Sequence, residues 1–370
     1  MDRKVITILG ARPQFVKAAA VSRAISQANQ GSGKQLVEKI VHTGQHFDHK
    51  MSDIFFEQMQ IPKPDFRLEL GGLSQGAMTG RMIEQLEALF ITENPDAVMV
   101  YGDTNSTIAG AMAAVKLHIP IIHVEAGLRS FNMAMPEEVN RILTDRISSW
   151  LFCPTEAAMS NLRQEGFGVD DSSKRPHICN VGDVMYDAAL FYSDQAIPSV
   201  ELEASVGGFE QFYLVTLHRQ ENTDDLSRLK SIFSALSAIC RLTPVVLPLH
   251  PRTQKMLKSH EVDTGDVLII EPVAYFDMLY LLKSCSAVLT DSGGLQKEAY
   301  FFQKPCITMR DQTEWVELVE SGCNTLVGAD TDKIIEAVDA LTGKQFDFSH
   351  ALYGDGQAST KLVEKLIESL

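Results

Sequence analysis

The chain has 370 residues, of which 45% are hydrophobic and 22% are charged. This length exceeds what one hydrophobic core usually serves, so we expect two domains, and the ordinary composition argues against extensive disorder. The formal net charge of −15 argues against a nucleic-acid partner and against an anionic membrane surface.

The six cysteines are spread along the chain and include no Cys-x-x-Cys pair. A chain of this length needs no disulfide for stability, so we expect free thiols in a reducing compartment. No apolar run approaches the ~20 residues that span a bilayer. The first residues lead directly into a strand pattern and lack the layout of a signal peptide. We therefore expect a cytoplasmic protein.

Short runs rich in Val, Ile and Leu alternate along the chain with segments of helical periodicity. The runs lack polar alternation, which is typical of strands buried on both faces of a parallel sheet. This alternation predicts α/β domains with right-handed crossovers. Strands are predicted at residues 5–9, 37–42, 97–101, 119–124 and 151–153 of the first half, and at 177–181, 212–217, 244–249, 267–270, 287–290 and 305–309 of the second. The main predicted helices are residues 14–29, 76–93, 104–116, 223–240 and 330–341.

The polar stretch 166–176 is the best candidate for a linker between the two halves. It predicts a first domain at residues 1–170 and a second at residues 176–355. A helical pattern at 356–370 is detached from the second half by the loop 342–356. The predicted fold class is therefore α/β, with two Rossmann-like domains whose parallel sheets face a cleft.

Ligands of open parallel sheets bind beyond the carboxyl ends of the strands, and polar residues concentrate there in this sequence. The first predicted strand is followed by Gly10, Arg12, Pro13 and Lys17. Gly10 permits a tight turn, and Pro13 suits the first turn of a helix. Arg12 and Lys17 would then face a bound anion. An ordinary strand–helix turn with surface charges is the alternative.

Three carboxylates follow strands of the first half. Asp103 and Glu125 come after two consecutive predicted strands, and Glu138 lies in the first turn of a helix. An acid directly after a buried strand is costly unless it has a purpose, and adjacent parallel strands would present Asp103 and Glu125 at one rim. Simpler roles remain open. Asp103 or Thr104 would cap a helix, and Glu138 would pair with Arg141 three residues later.

The second half supplies groups that suit a phosphate. His218 follows the strand 212–217, and Ser292, Gly293 and Gly294 lead from another strand into a helix. Free N–H groups and the positive end of a helix together cradle an anion. Glu298 lies further along that helix, where it would accept hydrogen bonds from a ribose diol. For the Ser-Gly-Gly segment, an ordinary helix cap is the alternative.

Several other motifs are absent. No Gly-x-Gly-x-x-Gly follows the first strand, and no P-loop sequence occurs. Thr290 stands where a nucleophile elbow requires Gly. His42, His46 and His49 lack the spacing that places two histidines and an acid on one helical face. We therefore expect neither a metal ion nor a cofactor.

Taken together, the segments resemble the non-hydrolysing UDP-N-acetylglucosamine 2-epimerase family over nearly the whole chain. The resemblance implies the two-domain fold of the glycosyltransferase B type, with the helix at 356–370 packed back on the first domain. It also implies interconversion of UDP-N-acetylglucosamine and UDP-N-acetylmannosamine, a role in polysaccharide biosynthesis, and a homodimer. It is carried by residues 10–17, 43–46, 101–107, 123–130, 136–141, 218–222 and 290–298.

The resemblance also implies roles for individual residues, matched by position. The expected catalytic residues are Asp103, Glu125, Glu138 and His218. The expected contacts to the UDP-sugar are Arg12, Lys17, Arg141, Ser292, Gly293, Gly294, Glu298 and Arg310, with His218 also at the diphosphate. Gln45, His46 and Gln75 resemble a regulatory site at which bacterial members bind a second UDP-sugar.

Three segments depart from the usual family pattern. Ala11 and Gln14 stand where the family usually has Thr and Glu, residues 313–317 read Thr-Glu-Trp-Val-Glu in place of Thr-Glu-Arg-Pro-Glu, and Phe47 replaces a frequent Arg. These variants resemble a branch that includes epimerases of UDP-2,3-diacetamido-2,3-dideoxy-glucuronate. That sugar is therefore the alternative substrate.

The expected reaction explains why these residue types are needed. The proton on carbon 2 becomes acidic only as UDP leaves carbon 1, so the enzyme must stabilise the diphosphate and place a carboxylate against that proton. The resulting glycal is reprotonated on the opposite face as UDP returns. A dry cleft, closed by domain movement, would protect the glycal from water. A glycosyltransferase of the same fold, a hydrolysing epimerase and a non-enzymatic nucleotide-sugar sensor are the alternatives.

Overall fold

The computed structural model describes residues 2–31, 33, 35–45, 59, 61–68, 70, 73–168, 176–249 and 251–370. The chain forms two compact units. One comprises residues 1–188 and 352–370, and the other comprises residues 189–351. All six cysteines lie in the described residues and are free. Within these ranges, no helix has both the length and the apolar character needed to cross a membrane.

A seven-stranded parallel sheet forms the centre of the first unit, in the order β3-β2-β1-β4-β5-β6-β7. The strand order reverses between β1 and β4: β2 and β3 lie on one side of β1, and β4 to β7 lie on the other. Sheets of this kind bind ligands at such a switch point. The strands are β1 (Arg3–Leu9), β2 (Leu36–His42), β3 (Phe66–Arg67), β4 (Ala97–Tyr101), β5 (Ile121–Val124), β6 (Trp150–Cys153) and β7 (His177–Asn180).

The helices of the first unit begin where their sequences predict. Pro13 lies in the first turn of α1 and Pro136 opens α4, where a missing N–H costs nothing. Glu137 and Glu138 lie in the first turn of α4 and Arg146 in its last, so all three complement the helix dipole. The helices are α1 (Arg12–Ala28), α2 (Gln75–Glu93), α3 (Asn105–Lys116), α4 (Pro136–Ile147), α5 (Glu156–Gln164) and α6 (Val184–Ser193), which crosses the boundary between the units.

The second unit has a six-stranded sheet in the order β10-β9-β8-β11-β12-β13, again with a switch point between β8 and β11. The strands are β8 (Tyr213–Thr216), β9 (Val245–Pro248), β10 (Leu268–Ile270), β11 (Ala287–Thr290), β12 (Cys306–Thr308) and β13 (Asn324–Leu326). The helices are α7 (Val200–Val206), α8 (Gln220–Thr223), α9 (Leu226–Cys240), α10 (Pro251–Ser259), α11 (Tyr275–Ser284), α12 (Gly293–Phe301), α13 (Val316–Glu320) and α14 (Thr331–Asp339).

The boundary between the units lies later than the sequence predicts. The strand predicted at 177–181 was assigned to the second half, but β7 pairs in parallel with β6 and completes the first sheet. The first unit therefore continues to residue 188 rather than 170, and it resumes at 352 rather than 356. The polar stretch 166–176 therefore lies within the first unit, after α5 and before β7 in the chain.

The last helix, α15 (Ala358–Ser369), belongs to the first unit and packs against α1. Asp187 accepts hydrogen bonds from the first two amides of α15, at 3.0 Å from Ala358 N and 2.7 Å from Ser359 N. At the other end, Trp150 Nε1 donates to Ser369 Oγ at 2.9 Å. Side chains from two parts of the first unit thus hold both ends of the helix.

Both sheets carry apolar residues on both faces, as parallel sheets require. In the first unit, alternate residues of β1 and β4 pack against α2 and α3. In the second unit, Val215 and Leu289 face one core, while their neighbours Leu214 and Val288 face the other. The backbone is therefore held rigidly up to the carboxyl ends of the strands, where the polar residues begin.

Candidate active site

The turn after β4 carries the first predicted carboxylate. Gly102 adopts a left-handed backbone with φ of +62°, and Asp103 follows it with a side chain that is 28% exposed. A Cβ at Gly102 would lie 3.2 Å from Glu125 Oε2 and 3.3 Å from Lys17 Nζ. The turn therefore brings Asp103 next to the residues that follow β1 and β5, and the predicted shared rim exists.

Glu125 has an unusual backbone for a residue with a side chain. Its φ is +71°, a region that residues other than glycine occupy at a cost and that clusters at functional sites. Its carboxylate is only 9% exposed and forms an ion pair with Lys17 of α1. Lys17, predicted to contact the substrate, therefore first serves to balance the charge of Glu125.

Arg141 of α4 joins two of the predicted carboxylates. Its Nη2 binds Asp103 Oδ2, and its Nη1 lies 3.0 Å from Glu138 Oε2. The expected ion pair between Glu138 and Arg141 is thus present, and the same guanidinium also holds Asp103. Asn140 donates to the carbonyl oxygen of Asp103 at 2.9 Å. Thr104 caps α3, which was the simpler role expected for this segment.

The carboxylate oxygens of Glu138 accept several hydrogen bonds from the protein. Its side chain is 1% exposed. Oε2 accepts from Ser130 N at 2.9 Å and from Ser130 Oγ at 3.0 Å, and Oε1 accepts from Phe131 N at 2.8 Å. Glu138 therefore fixes the loop before α4 and the guanidinium of Arg141 in the conformation described.

Gln14 connects the loops after β1 and β4, a role that the sequence did not reveal. Its Oε1 accepts from Gly10 N at 2.8 Å and Ala11 N at 3.0 Å. Its Nε2 lies 2.9 Å from Tyr101 O. The side chain is 1% exposed. An amide suits this position because it both donates and accepts, which an ionised carboxylate does not.

A buried network of charged and polar side chains supports the turn after β4, and the sequence analysis did not predict it. His123 of β5 contacts Asp145 Oδ1 at 2.7 Å and Gly102 O at 2.8 Å. Asp145 Oδ2 accepts from Arg129 Nη1 at 2.7 Å, and Arg129 binds Glu165 at 2.5 and 2.9 Å. The available signal was a histidine inside an otherwise apolar strand, since a buried polar group needs partners.

The predicted regulatory residues are only partly described. Gln45 Oε1 accepts from Ser106 N at 3.0 Å and from Ser106 Oγ at 2.6 Å, and so caps the start of α3. Gln75 is exposed in the first turn of α2. His46 and the side chain of Arg12 lie outside the described residues. Gln45 thus has a structural contact at the start of α3.

In the second unit, the buried carboxylate of Asp291 organises the loop after β8. It accepts from His218 N at 3.1 Å and Arg219 N at 2.9 Å. It also lies 3.3 Å from His218 Nδ1, whose side chain is 48% exposed. The carboxylate thus holds the backbone of this loop and orients the exposed imidazole of His218.

The amino end of α12 is open, as a phosphate cradle requires. Ser292 is its N-cap residue but makes no capping hydrogen bond through its side chain. A Cβ at Gly293 would overlap Glu314 Oε1 and would lie 3.7 Å from Arg219 Nη2, whereas a Cβ at Gly294 would meet nothing within 4 Å. A side chain at Gly293 would therefore force Glu314 to move, while Gly294 leaves an open approach. The guanidinium of Arg219 beside this helix end was not singled out from the sequence.

The remaining predicted contacts are buried beside this helix end or along the helix. Arg310 is 4% exposed, and its Nη1 lies 3.0 Å from Glu314 Oε2. Glu298 is 9% exposed on α12. Gln296 of the same helix accepts from Thr313 Oγ1 at 2.7 Å and from Asn324 Nδ2 at 3.0 Å, which ties the segment after β12 to α12.

These features define a class of protein. One doubly wound unit presents carboxylates paired with cations at its switch point, and the other presents an open helix end with basic residues. Such an arrangement suits an enzyme that combines proton transfer with the binding of a phosphorylated ligand.

Comparison with known proteins identifies the family. The sequence model of the family described as UDP-N-acetylglucosamine 2-epimerase matches residues 30–367. The UDP-2,3-diacetamido-2,3-dideoxy-D-glucuronate 2-epimerase of Pseudomonas aeruginosa is 55% identical, over 98% of this chain and 99% of that protein. The UDP-N-acetylglucosamine 2-epimerase of Methanocaldococcus jannaschii is 40% identical, over 98% of each. The chain therefore belongs to the UDP-N-acetylglucosamine 2-epimerase family and is an epimerase.

Solved structures agree. The M. jannaschii UDP-GlcNAc 2-epimerase, in complex with UDP-GlcNAc and UDP, matches with a TM-score of 0.85 at 39% identity and covers 100% of both chains. The Neisseria meningitidis enzyme bound to UDP-GlcNAc matches with a TM-score of 0.85 at 31% identity, over 99% of this chain and 100% of that one. MurG of Acinetobacter baumannii, at 11% identity over 100% of both chains, has a TM-score of 0.55, so the glycosyltransferase B type of fold is also confirmed.

Proposed function

We propose that this enzyme inverts carbon 2 of a UDP-linked 2-acetamido sugar by eliminating and re-adding UDP. The observation that carries the proposal is the pair of carboxylates after β4 and β5, each bound to a cation, with Gly102 directly before Asp103 in the chain and packed beside the carboxylate of Glu125. Two acids at one rim supply what inversion needs, since the proton leaves one face of carbon 2 and returns to the other.

Proton transfer is assigned to Asp103 and Glu125. Asp103 is the more exposed of the two, and Glu125 is paired with Lys17. As one carboxylate takes the carbon-2 proton, the bond from carbon 1 to the diphosphate oxygen breaks and a double bond forms between carbons 1 and 2. Reprotonation from the opposite face and return of the diphosphate to carbon 1 complete the inversion. Glu138 acts through Arg141 and the loop at Ser130.

Diphosphate binding is assigned to the second unit and to the loop after β1. The N–H groups at the start of α12, His218 and Arg310 would stabilise the charge of departing UDP, with Glu298 on the ribose. Arg12 is assigned to the same anion by its position in the sequence. A UDP-sugar substrate is supported by the relatives whose structures contain UDP-GlcNAc.

Two sugars are candidates for the substrate. UDP-N-acetylglucosamine is supported by the family and by several relatives that carry that name. UDP-2,3-diacetamido-2,3-dideoxy-glucuronate is favoured by the relative at 55% identity, against 40% for the M. jannaschii enzyme. The proposal also includes a regulatory UDP-sugar site that involves Gln45, His46 and Gln75, and a cytoplasmic homodimer. Light scattering in solution tests the homodimer, and cell fractionation tests the cytoplasmic location.

The experiment is proton NMR of each UDP-sugar with enzyme in deuterated water. Inversion through proton loss predicts a new isomer that carries deuterium at carbon 2, with no accumulation of free UDP. Whichever sugar turns over at the higher kcat/KM is the substrate. Accumulation of free UDP would show hydrolysis, and product only on addition of an acceptor alcohol would show transfer. The absence of exchange with either sugar would refute the proposal.

A further inference from the structure

The backbone of Gly102 is held from β5 at two points. Gly102 N donates to Val124 O at 3.0 Å, and Gly102 O lies 2.8 Å from His123 Nε2. Gly102 precedes Asp103 directly and lies beside Glu125 and Lys17. A shift of this backbone would therefore move Asp103 and change its position relative to Glu125.

Both ring nitrogens of His123 have protein partners. Gly102 O is a carbonyl oxygen and only accepts, so Nε2 donates in that contact, while Nδ1 faces Asp145 Oδ1. The ring is wholly buried, so these two contacts fix its position.

Asp145 holds the other side of this ring. Besides His123, it accepts from Arg129 Nη1 at 2.7 Å and Gly127 N at 3.2 Å. Burial alone would raise the pKa of Asp145, but the hydrogen bond from His123 and the charges of His123 and Arg129 hold it below its ordinary value. Glu165 in turn holds Arg129 through two hydrogen bonds.

Helix α4 supplies the rest of the support. Glu138, Arg141 and Asp145 are separated by three and four residues, so they lie on one face of the helix, and all three are buried. From this face, Arg141 holds the carboxylate of Asp103, while Asp145 holds the ring that reaches Gly102. Helix α4 thus supports the turn after β4 in two ways. Arg141 binds the side chain of Asp103, and Asp145 supports the His123 ring that contacts the backbone of Gly102.

We propose that His123 and Asp145 are positioning residues, which hold the Gly102 peptide so that Asp103 and Glu125 stand in the geometry for proton transfer at carbon 2. The inference rests on the proposed function. Neither residue contacts the substrate in this scheme. Because a misplacement of about 1 Å costs on the order of 100-fold in rate, loss of this support lowers kcat and leaves the binding of UDP to the second unit unchanged.

The test compares His123→Gln with His123→Leu in the full-length enzyme. Both side chains have a similar volume, but only the glutamine amide donates a hydrogen bond to Gly102 O. We expect His123→Leu to lower kcat at least 30-fold, with KM within threefold of wild type and an unchanged Kd for UDP. His123→Gln should recover at least a tenfold part of that loss. Rates are normalised to the folded fraction.

The matched control is Asp96→Asn. Asp96 accepts from Lys4 N at 2.8 Å and pairs with Arg3, at the amino end of β4, so it holds the same strand at the edge away from the carboxylates. We expect its kcat within twofold of wild type. Equal kcat for the two His123 variants, or losses that follow the folded fraction as in the control, would overturn the positioning role. An inactive wild-type enzyme would instead refute the proposed function and this inference with it.

Discussion

The glycine pair at the start of α12 allows a sharp test of the proposed diphosphate site. Gly294→Ala adds a methyl group into open space, because no atom lies within 4 Å of that position, and the backbone there is not left-handed. Gly293→Ala places the same methyl group against Glu314, whose other oxygen binds Arg310 at 3.0 Å. The two variants therefore separate ligand binding from folding.

The magnitudes follow from these surroundings. In Gly294→Ala, the helix gains roughly 0.5–1 kcal/mol of stability because the unfolded chain loses freedom. If the diphosphate approaches this N–H closely, the methyl group prevents a charge-assisted hydrogen bond of about 1.5–3 kcal/mol. That loss corresponds to roughly a 10- to 150-fold higher Kd for UDP. Gly293→Ala forces Glu314 to move and should cost about 1–3 kcal/mol of stability.

Titration calorimetry with UDP and thermal unfolding of the same samples provide the two readouts. We expect Gly294→Ala to melt at or above the wild-type temperature while it binds UDP at least tenfold more weakly. We expect Gly293→Ala to melt lower even without ligand. Unchanged UDP affinity in a stable Gly294→Ala protein would refute the close approach of the diphosphate to α12.

Three further predictions concern the first unit. Gln14→Met should destabilise it by about 2–6 kcal/mol, since two buried backbone N–H groups lose their acceptor at about 1–3 kcal/mol each; urea unfolding measures this, with exposed Gln75→Met as the neutral control. Arg141→Lys keeps the charge but lacks the planar fork that joins two carboxylates; we expect kcat to fall at least tenfold with UDP affinity unchanged, and full activity would contradict the bridging role. The pKa of Asp145 is lowered in the folded state, so its stabilisation is present above the unfolded value of about 4 and is lost as pH falls through the lower folded value. The difference in urea midpoint between wild type and Asp145→Asn should therefore shrink below about pH 4, and a constant difference down to pH 3 would contradict the shift.

Much of the fold could be predicted because parallel strands buried on both faces leave a continuous apolar run in the sequence. The prediction was wrong where local sequence carries no such signal. β7 is only partly buried, and nothing in its four residues indicates which sheet it joins. β3 and β13, with two and three residues, are too short to show a period. Sheet membership depends on pairing between segments far apart in the chain.

The residues of the candidate site also fall into those that the sequence predicts and those that depend on contacts between distant segments. Asp103 and Glu125 could be predicted because the ends of adjacent strands necessarily meet at one edge of a sheet. Gln14 and His123 could not, since their roles depend on partners that only the folded chain brings near. Gln14 reaches a carbonyl 87 residues away, and His123 reaches one 21 residues earlier in the chain. Both interactions use backbone oxygens, which sequence letters do not record.

In each unit, one buried side chain joins the two loops at the switch point of the sheet. This side chain is neutral in the first unit and anionic in the second. In the first unit, neutral Gln14 joins the loops after β1 and β4. In the second unit, anionic Asp291 joins the loops after β8 and β11. A further carboxylate in the first unit would add negative charge beside the acids to which proton transfer is assigned, and like charges disfavour ionisation. In the second unit, the buried carboxylate of Asp291 lies 3.3 Å from His218 Nδ1, so the group that fixes the loop also orients the imidazole to which diphosphate binding is assigned.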